Sequence, residues 1–173
     1  DIRAFRDGPP EFMTLVRLNA AGGSVFAKAY SDTRYTTLQQ GGLIDVEQFP
    51  AAVATPVAAV GYIRRDGQSF REAVSLLVDP AGNPLTYRTY TPPGAFDAYL
   101  SSITLLASGN TFAMAGRYET AFGGNAPGTL FLRTDTVFTT LGGLTMHPRF
   151  YAAPDSLAEF VGPSINGLYT IGG

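Results

Sequence analysis

Short runs rich in Val, Ile, Thr, Tyr and Phe recur along the chain between clusters of Gly, Pro, Asn and Asp, with almost no apolar spacing of the 3.6-residue helical kind. That pattern commits the chain to an all-β fold. The run FMTLVRLN (12–19) passes through AAGG into SVFAKAY (24–30), and Gly22 and Gly23 supply the positive φ that a tight hairpin needs. A second hairpin joins AVSLLVD (73–79) through PAGN to PLTYRTY (84–90), where Pro80 and Gly82 set the corner and Asn83 bonds back to its own backbone. A third joins LSSITLLA (100–107) to TFAMAGRY (111–118) through Ser108, Gly109 and Asn110.

These hairpins recur with a period. Aligning VGYIRR, AGRYE and YTIGG on Gly61, Gly116 and Gly172 gives a spacing of about 55 residues, close to the length of a four-stranded propeller blade. Four strand types fill one cycle: a (100–107), b (111–118), c (the AVSLLVD and TLFLRTD runs) and d (SVFAKAY, PLTYRTY and 137–146). The chain then opens with c and d, runs through two abcd cycles and closes with a near 156–162 and b at 167–173. The expectation is one all-β domain over 1–173 made of about three four-stranded antiparallel, propeller-like blades. Its repeats fall near 12–65, 73–119 and 129–173, and a β-sandwich is the alternative. The segment 35–49 reads as a long loop, and PAAVATPVAAVGYI (50–63) as two short strands.

Composition narrows the function classes. With 45% hydrophobic residues, 15% charged residues and a net charge of −2, the chain is not built to find nucleic acid electrostatically. Lys28 is the single lysine, and no run of basic residues forms a membrane-binding patch. The apolar stretch 50–63 is about 14 residues long and interrupted by Pro56, short of the roughly 20 needed by a spanning helix. The absence of cysteine removes disulfides, thiolate metal sites and cysteine nucleophiles together. No cofactor is expected.

The middle of the chain resembles a known family. ASGN (107–110), AGRYET (115–120), the loop AFGGNAPG (121–128) and LFLRTD (130–135) are similar to the repeats of bacterial surface proteins that form β-propellers. Each unit of that family has a strand, a Gly-containing turn, a second strand ending in an AGxT-like motif, a Gly-rich loop and a strand ending in a KxD-like motif. The resemblance implies blade-like sheets and an extracellular or bacterial cell-surface location. Its motifs are turn-forming, so they carry fold rather than chemistry. The chain departs from the pattern in having no Trp in strand d and in the length of segment 35–49. About three blades fall short of the four or more that close a ring. The rest comes from self-association, as a six-bladed dimer or a filament, from a longer propeller of which this chain is a fragment, or is not needed if the sheets pack as a sandwich; self-association is the expectation preferred.

Individual residues give few chemical leads. His147 is the only histidine, has no GxSxG partner motif, and reads as a turn residue before Pro148. DPAGN (79–83) lacks the acidic spacing of a calcium loop, and GGNAPG (123–128) has no following lysine or helix to cradle phosphate. Arg64, Arg65, Arg117 and Arg133 at strand ends read as partners in salt bridges between neighbouring strands. Glu72, Glu119 and Glu159 are available for a dispersed carboxylate pair of the glycoside hydrolase kind, but their similar cycle positions favour a repeated surface feature. Tyr87, Tyr90, Phe96 and Tyr99 form the candidate ligand or adhesion face, since aromatic faces stack on sugars. The function expected first is therefore a non-enzymatic, self-associating structural protein. A carbohydrate-binding or adhesion module with surface carbohydrate as partner comes second, and a hydrolase third.

Overall fold

The computed structural model describes residues 2–5, 13–31, 39–49, 56–65, 70–91, 95–106, 109–120, 127–141, 145–148, 160–163 and 169–172. The chain is all-β. The first sheet is β1 (Ile2–Phe5), β2 (Met13–Leu18) and β3 (Ser24–Tyr30), paired in that order. The second is a four-stranded antiparallel meander of β4 (Gln39–Gln48), β5 (Val57–Arg65), β6 (Arg71–Val78) and β7 (Pro84–Tyr90). The third repeats it with β8 (Ala95–Leu105), β9 (Thr111–Thr120), β10 (Pro127–Asp135) and β11 (Thr145–Pro148). A final antiparallel pair is β12 (Phe160–Pro163) and β13 (Tyr169–Gly172).

The a, b, c and d strands of the two full cycles are thus β4 to β7 and β8 to β11, and the first sheet carries c and d with β1 in the b position. Three details differ from the sequence reading. Segment 39–48 is strand a of the second sheet rather than loop, because its glycines serve packing and not turning. A Cβ atom at Gly41 would lie 2.9 Å from Met13 Cγ, and one at Gly42 would lie 3.1 Å from the Tyr62 ring. From Val57 onward the apolar stretch is one continuous strand, β5, held on both sides by β4 and β6, whereas 50–55 lie outside the described residues. In the third d segment, Val137 to Thr139 belong to a turn, and His147 sits in β11 paired with Thr129 instead of in a turn.

Two of the three glycines that mark the period have a common physical role. Gly61 on β5 and Gly116 on β9 each face a bulge in the neighbouring a strand, between Leu43 and Asp45 in one sheet and between Leu100 and Ser102 in the other. A Cβ atom at Gly61 would run into the Gly42 carbonyl, and one at Gly116 into the Tyr99 carbonyl. The bulge bends strand a at the same place in both sheets, and only glycine leaves room for it.

The three sheets stack face to face around two cores, and a third, smaller buried cluster of Leu106, Ala113 and Ala115 lies on the far face of the third sheet. Met13, Leu15, Phe26 and Tyr30 of the first sheet meet Val57, Ile63, Val74 and Leu76 of the second. The opposite face of the second sheet, with Ala58, Val60, Ala73 and Leu77, meets Leu100, Phe112, Met114, Leu130 and Leu132 of the third. β6 is therefore covered on both faces, which is why AVSLLV is a continuous apolar run without alternation. A stack of blades and a layered sandwich share this arrangement, and among the described residues the sheets are open at their edges.

Candidate functional site

The c–d hairpin turns are one structure built three times. In each, an Asx side chain at the first position accepts hydrogen bonds from backbone N–H groups two and four residues on: Asn19 from Ala21 and Gly23, Asp79 from Ala81 and Asn83, and Asp135 from Val137 and Thr139. The fourth residue closes onto the first carbonyl and takes positive φ: Gly22 at 81°, Gly82 at 78° and Phe138 at 63°. This is a turn followed by a left-handed residue, the geometry that lets a hairpin keep its twist. In DPAGN the organising group is the Asp79 carboxylate, and the Asn83 amide also donates to it at 2.8 Å. These bonds from the backbone and side chain of Asn83 hold the Asp79 carboxyl below its usual range.

Each turn of the second and third sheets is seated against the sheet before it. Tyr30, the last residue of β3, donates its hydroxyl to the Gly82 carbonyl at 2.8 Å. Tyr90, the last residue of β7, does the same to the Phe138 carbonyl at 3.4 Å, and its hydroxyl also bonds Ser75 at 2.9 Å. Burial pushes both phenols up to about 12. At the first seam Arg17 Nη1 reaches the Pro80 carbonyl at 3.3 Å, and Lys28 Nζ donates to Asn83 Oδ1 at 2.7 Å. The Phe26 ring lies over Gly82 so closely that a Cβ there would be 2.7 Å from it. At the second seam Phe138 itself is the buried ring, packed 5.6 Å from Phe112.

A cleft of about 640 Å³ opens at this first seam between β3 and β7, lined by Lys28, Tyr30, Leu76, Tyr87 and Arg88 among others. It combines an apolar floor with two cationic side chains and the Tyr87 ring.

The four aromatic residues singled out in the sequence fall in different surroundings. Tyr87 is half-buried, lines the cleft and packs against the first core. Tyr90 is buried in the second core with its hydroxyl engaged. Tyr99 lies under the Arg71 guanidinium, 4.5 Å from ring centroid to charge, on the side where Arg71 grips Asp97 through Nε at 3.1 Å and Nη2 at 2.5 Å. The backbone of Phe96 is in β8, and its side chain lies outside the described residues. Of the candidate carboxylates, Glu72 is buried on β6, Glu119 pairs with Arg117 at 2.5 Å on β9, and Glu159 lies outside the described residues. Among the described residues no three His, Asp or Glu side chains gather as a metal site, and no helix is long and apolar enough to cross a membrane.

Sequence reasoning missed the Tyr30 and Tyr90 contacts. A signal was present, since SVFAKAY and PLTYRTY both end in Tyr immediately before the chain leaves the sheet. No protein-family model matches the chain, and no curated protein matches it.

Proposed function

We propose that this protein is a non-enzymatic structural component that self-associates through propeller-like blades, with an extracellular, bacterial cell-surface setting suggested by the repeat resemblance. The observation that carries the reading is the seam. The same Asx turn is seated by the same terminal tyrosine at two successive sheet boundaries, so one packing operation takes the first sheet to the second and the second to the third. Repeats that contact only their neighbours gain stability from each added interface, and their end units carry unfinished faces. An unfinished face of this kind favours addition of another unit, and a non-closing addition gives a filament whereas a closing one gives a ring.

The test is the mass in solution by light scattering over a wide concentration range. A discrete dimer or larger, concentration-dependent species is the expected result. A monomer at every concentration contradicts the reading.

A second reading, carbohydrate binding or adhesion, has one observation in its favour: the cleft at the first seam, where Tyr87 offers an aromatic face beside Lys28 and Arg88. Binding of an oligosaccharide that is lost in Tyr87→Ala, with the fold retained, would favour it over assembly alone. The absence of binding across a broad glycan panel would remove it.

A further inference from the structure

The cleft at the first seam lies between two sheet edges, since β3 and β7 are the last strands of their sheets among the described residues. Its floor is apolar: Met13 and Leu76 are 1% and 2% exposed, and Tyr87 stands directly across the β6–β7 pairing from Leu76. At about 640 Å³ it falls within the roughly 300 to 1,000 Å³ of small-molecule sites. Half-buried Thr89 adds a hydroxyl on the same face of β7 as the Tyr87 ring.

Charge sets the cleft apart from the rest of the molecule. Lys28 and Arg88 both line it and no described carboxylate does, in a chain whose net charge is −2. The two cations hold the same place in the repeat on successive d strands, counted from Asn19 to Lys28 and from Asp79 to Arg88. Cations with a structural task in this fold are paired: Arg71 grips Asp97, and Arg117 holds Glu119. Among the described residues neither Lys28 nor Arg88 has a carboxylate partner, and the Lys28 amine rests on the neutral Asn83 amide oxygen at 2.7 Å. Asp79 is near enough to feel the charge of Lys28, but its oxygens are taken by the N–H groups of Ala81 and Asn83 and by the Asn83 amide.

We propose that this cleft binds a short acidic oligosaccharide, a chain of hexuronic acid residues, with one ring laid on Tyr87 and carboxylates held by Lys28 and Arg88. The inference rests on the carbohydrate reading of the cleft and adds the charge of the ligand. A sugar ring brings an apolar face to Tyr87 and hydroxyl groups to Thr89. Its carboxylates make charge-assisted hydrogen bonds to the two cations, strengthened where the apolar floor excludes water. A neutral sugar would leave both cations without an anion, and an acidic peptide without rings would leave Tyr87 without a stacking partner.

The test is titration calorimetry of the full chain with tetragalacturonic acid, with the methyl ester of the same tetramer and with a glutamate tetrapeptide. The acid is expected to bind roughly tenfold more tightly than either of the others, and less tightly as salt is raised. Lys28→Gln keeps a donor for the Asn83 amide oxygen and Arg88 is exposed, so Lys28→Gln and Arg88→Gln leave the cores untouched, which circular dichroism checks. Each is expected to lower the affinity for the acid by roughly tenfold and to leave that for the ester unchanged, whereas Tyr87→Ala lowers both. An ester that binds as tightly as the acid, or an affinity for the acid that neither Gln variant lowers, overturns the acidic-ligand inference while the carbohydrate reading stands. A glutamate peptide that binds as tightly as the acid overturns it in favour of an acidic peptide. Failure of the acid to bind overturns the inference, and if a broad glycan panel fails as well, the carbohydrate reading falls with it.

Discussion

The first and second seams solve one packing problem from opposite sides. In both, a tyrosine at the end of strand d donates to the carbonyl of the left-handed residue in the next turn, and in both a phenyl ring fills the seam. At the first seam the ring is Phe26, on strand d of the sheet in front, and the turn residue is Gly82, which has no room for a side chain. At the second seam the position matching Phe26 is Thr86, and the ring comes from the turn itself as Phe138. A non-glycine residue in the left-handed region carries about 1 to 2 kcal/mol of strain. Burying a phenyl group to 1% exposure offsets it. The seam therefore preserves ring volume and a carbonyl acceptor rather than particular residues, which blurs the repeat in sequence while keeping it in structure.

The largest expected effect comes from removing either ring. Phe138→Ala and Phe26→Ala should each destabilise the protein by about 3 kcal/mol in denaturant unfolding, since each empties a buried seam. Phe138→Gly should cost roughly 1 kcal/mol less than Phe138→Ala, because glycine is unstrained at that φ. A Phe26 variant that unfolds no more easily than the unmodified chain would break the equivalence.

The tyrosines come next. Tyr30→Phe should cost about 1 kcal/mol, and Tyr90→Phe about 1 to 2 kcal/mol because the buried Ser75 hydroxyl loses its partner as well. Both phenols are held neutral by burial, with folded values of about 12 against 10.0 for the free group. Their contribution to stability is whole below pH 10 and is lost as pH rises toward about 12. The double variant Tyr30→Phe/Tyr90→Phe should flatten the alkaline fall in melting temperature.

The smallest effect separates the turns. The Asp79 carboxylate is held below its usual 3.8 by hydrogen bonds from Asn83, so its contribution is present above that pH and is lost as pH falls through the lowered folded value. Asn19 does the same work without a charge. Asp79→Asn should therefore leave the fold intact at neutral pH and remove part of the acid-side loss of stability in a pH titration of unfolding.

Much of the fold was legible in the sequence because the turns are made by local chemistry. Gly22 adopts the positive φ expected of it while Gly23 does not, the turn glycines Gly82 and Gly109 also take positive φ, and Gly61 and Gly116 mark equivalent points of the cycle. Strand a of the second sheet was hidden because 35–49 read as a long loop, although Gly41 and Gly42 are there for the space taken by Met13 and the Tyr62 ring. The third turn was hidden because its left-handed residue is Phe138, whose reason is tertiary burial. The seam was not legible at all, since it depends on which face of one sheet meets which turn of the next. For the aromatic candidates, spacing along the chain gave no account of surroundings: Tyr90 ends in a core, Tyr99 beneath Arg71 and Tyr87 beside a cleft.

The most direct measurement of the central claim, that the two seams are one interface filled from opposite sides, is a double-mutant cycle that moves the second solution into the first. Phe26→Thr alone empties the seam, and Gly82→Phe alone forces a ring into the one already there. The two together place the ring on the turn, as at Phe138. Urea unfolding should show both single variants strongly destabilised and the double variant recovering at least about 2 kcal/mol of the summed loss. Strictly additive losses would mean that the two seams do not share one design.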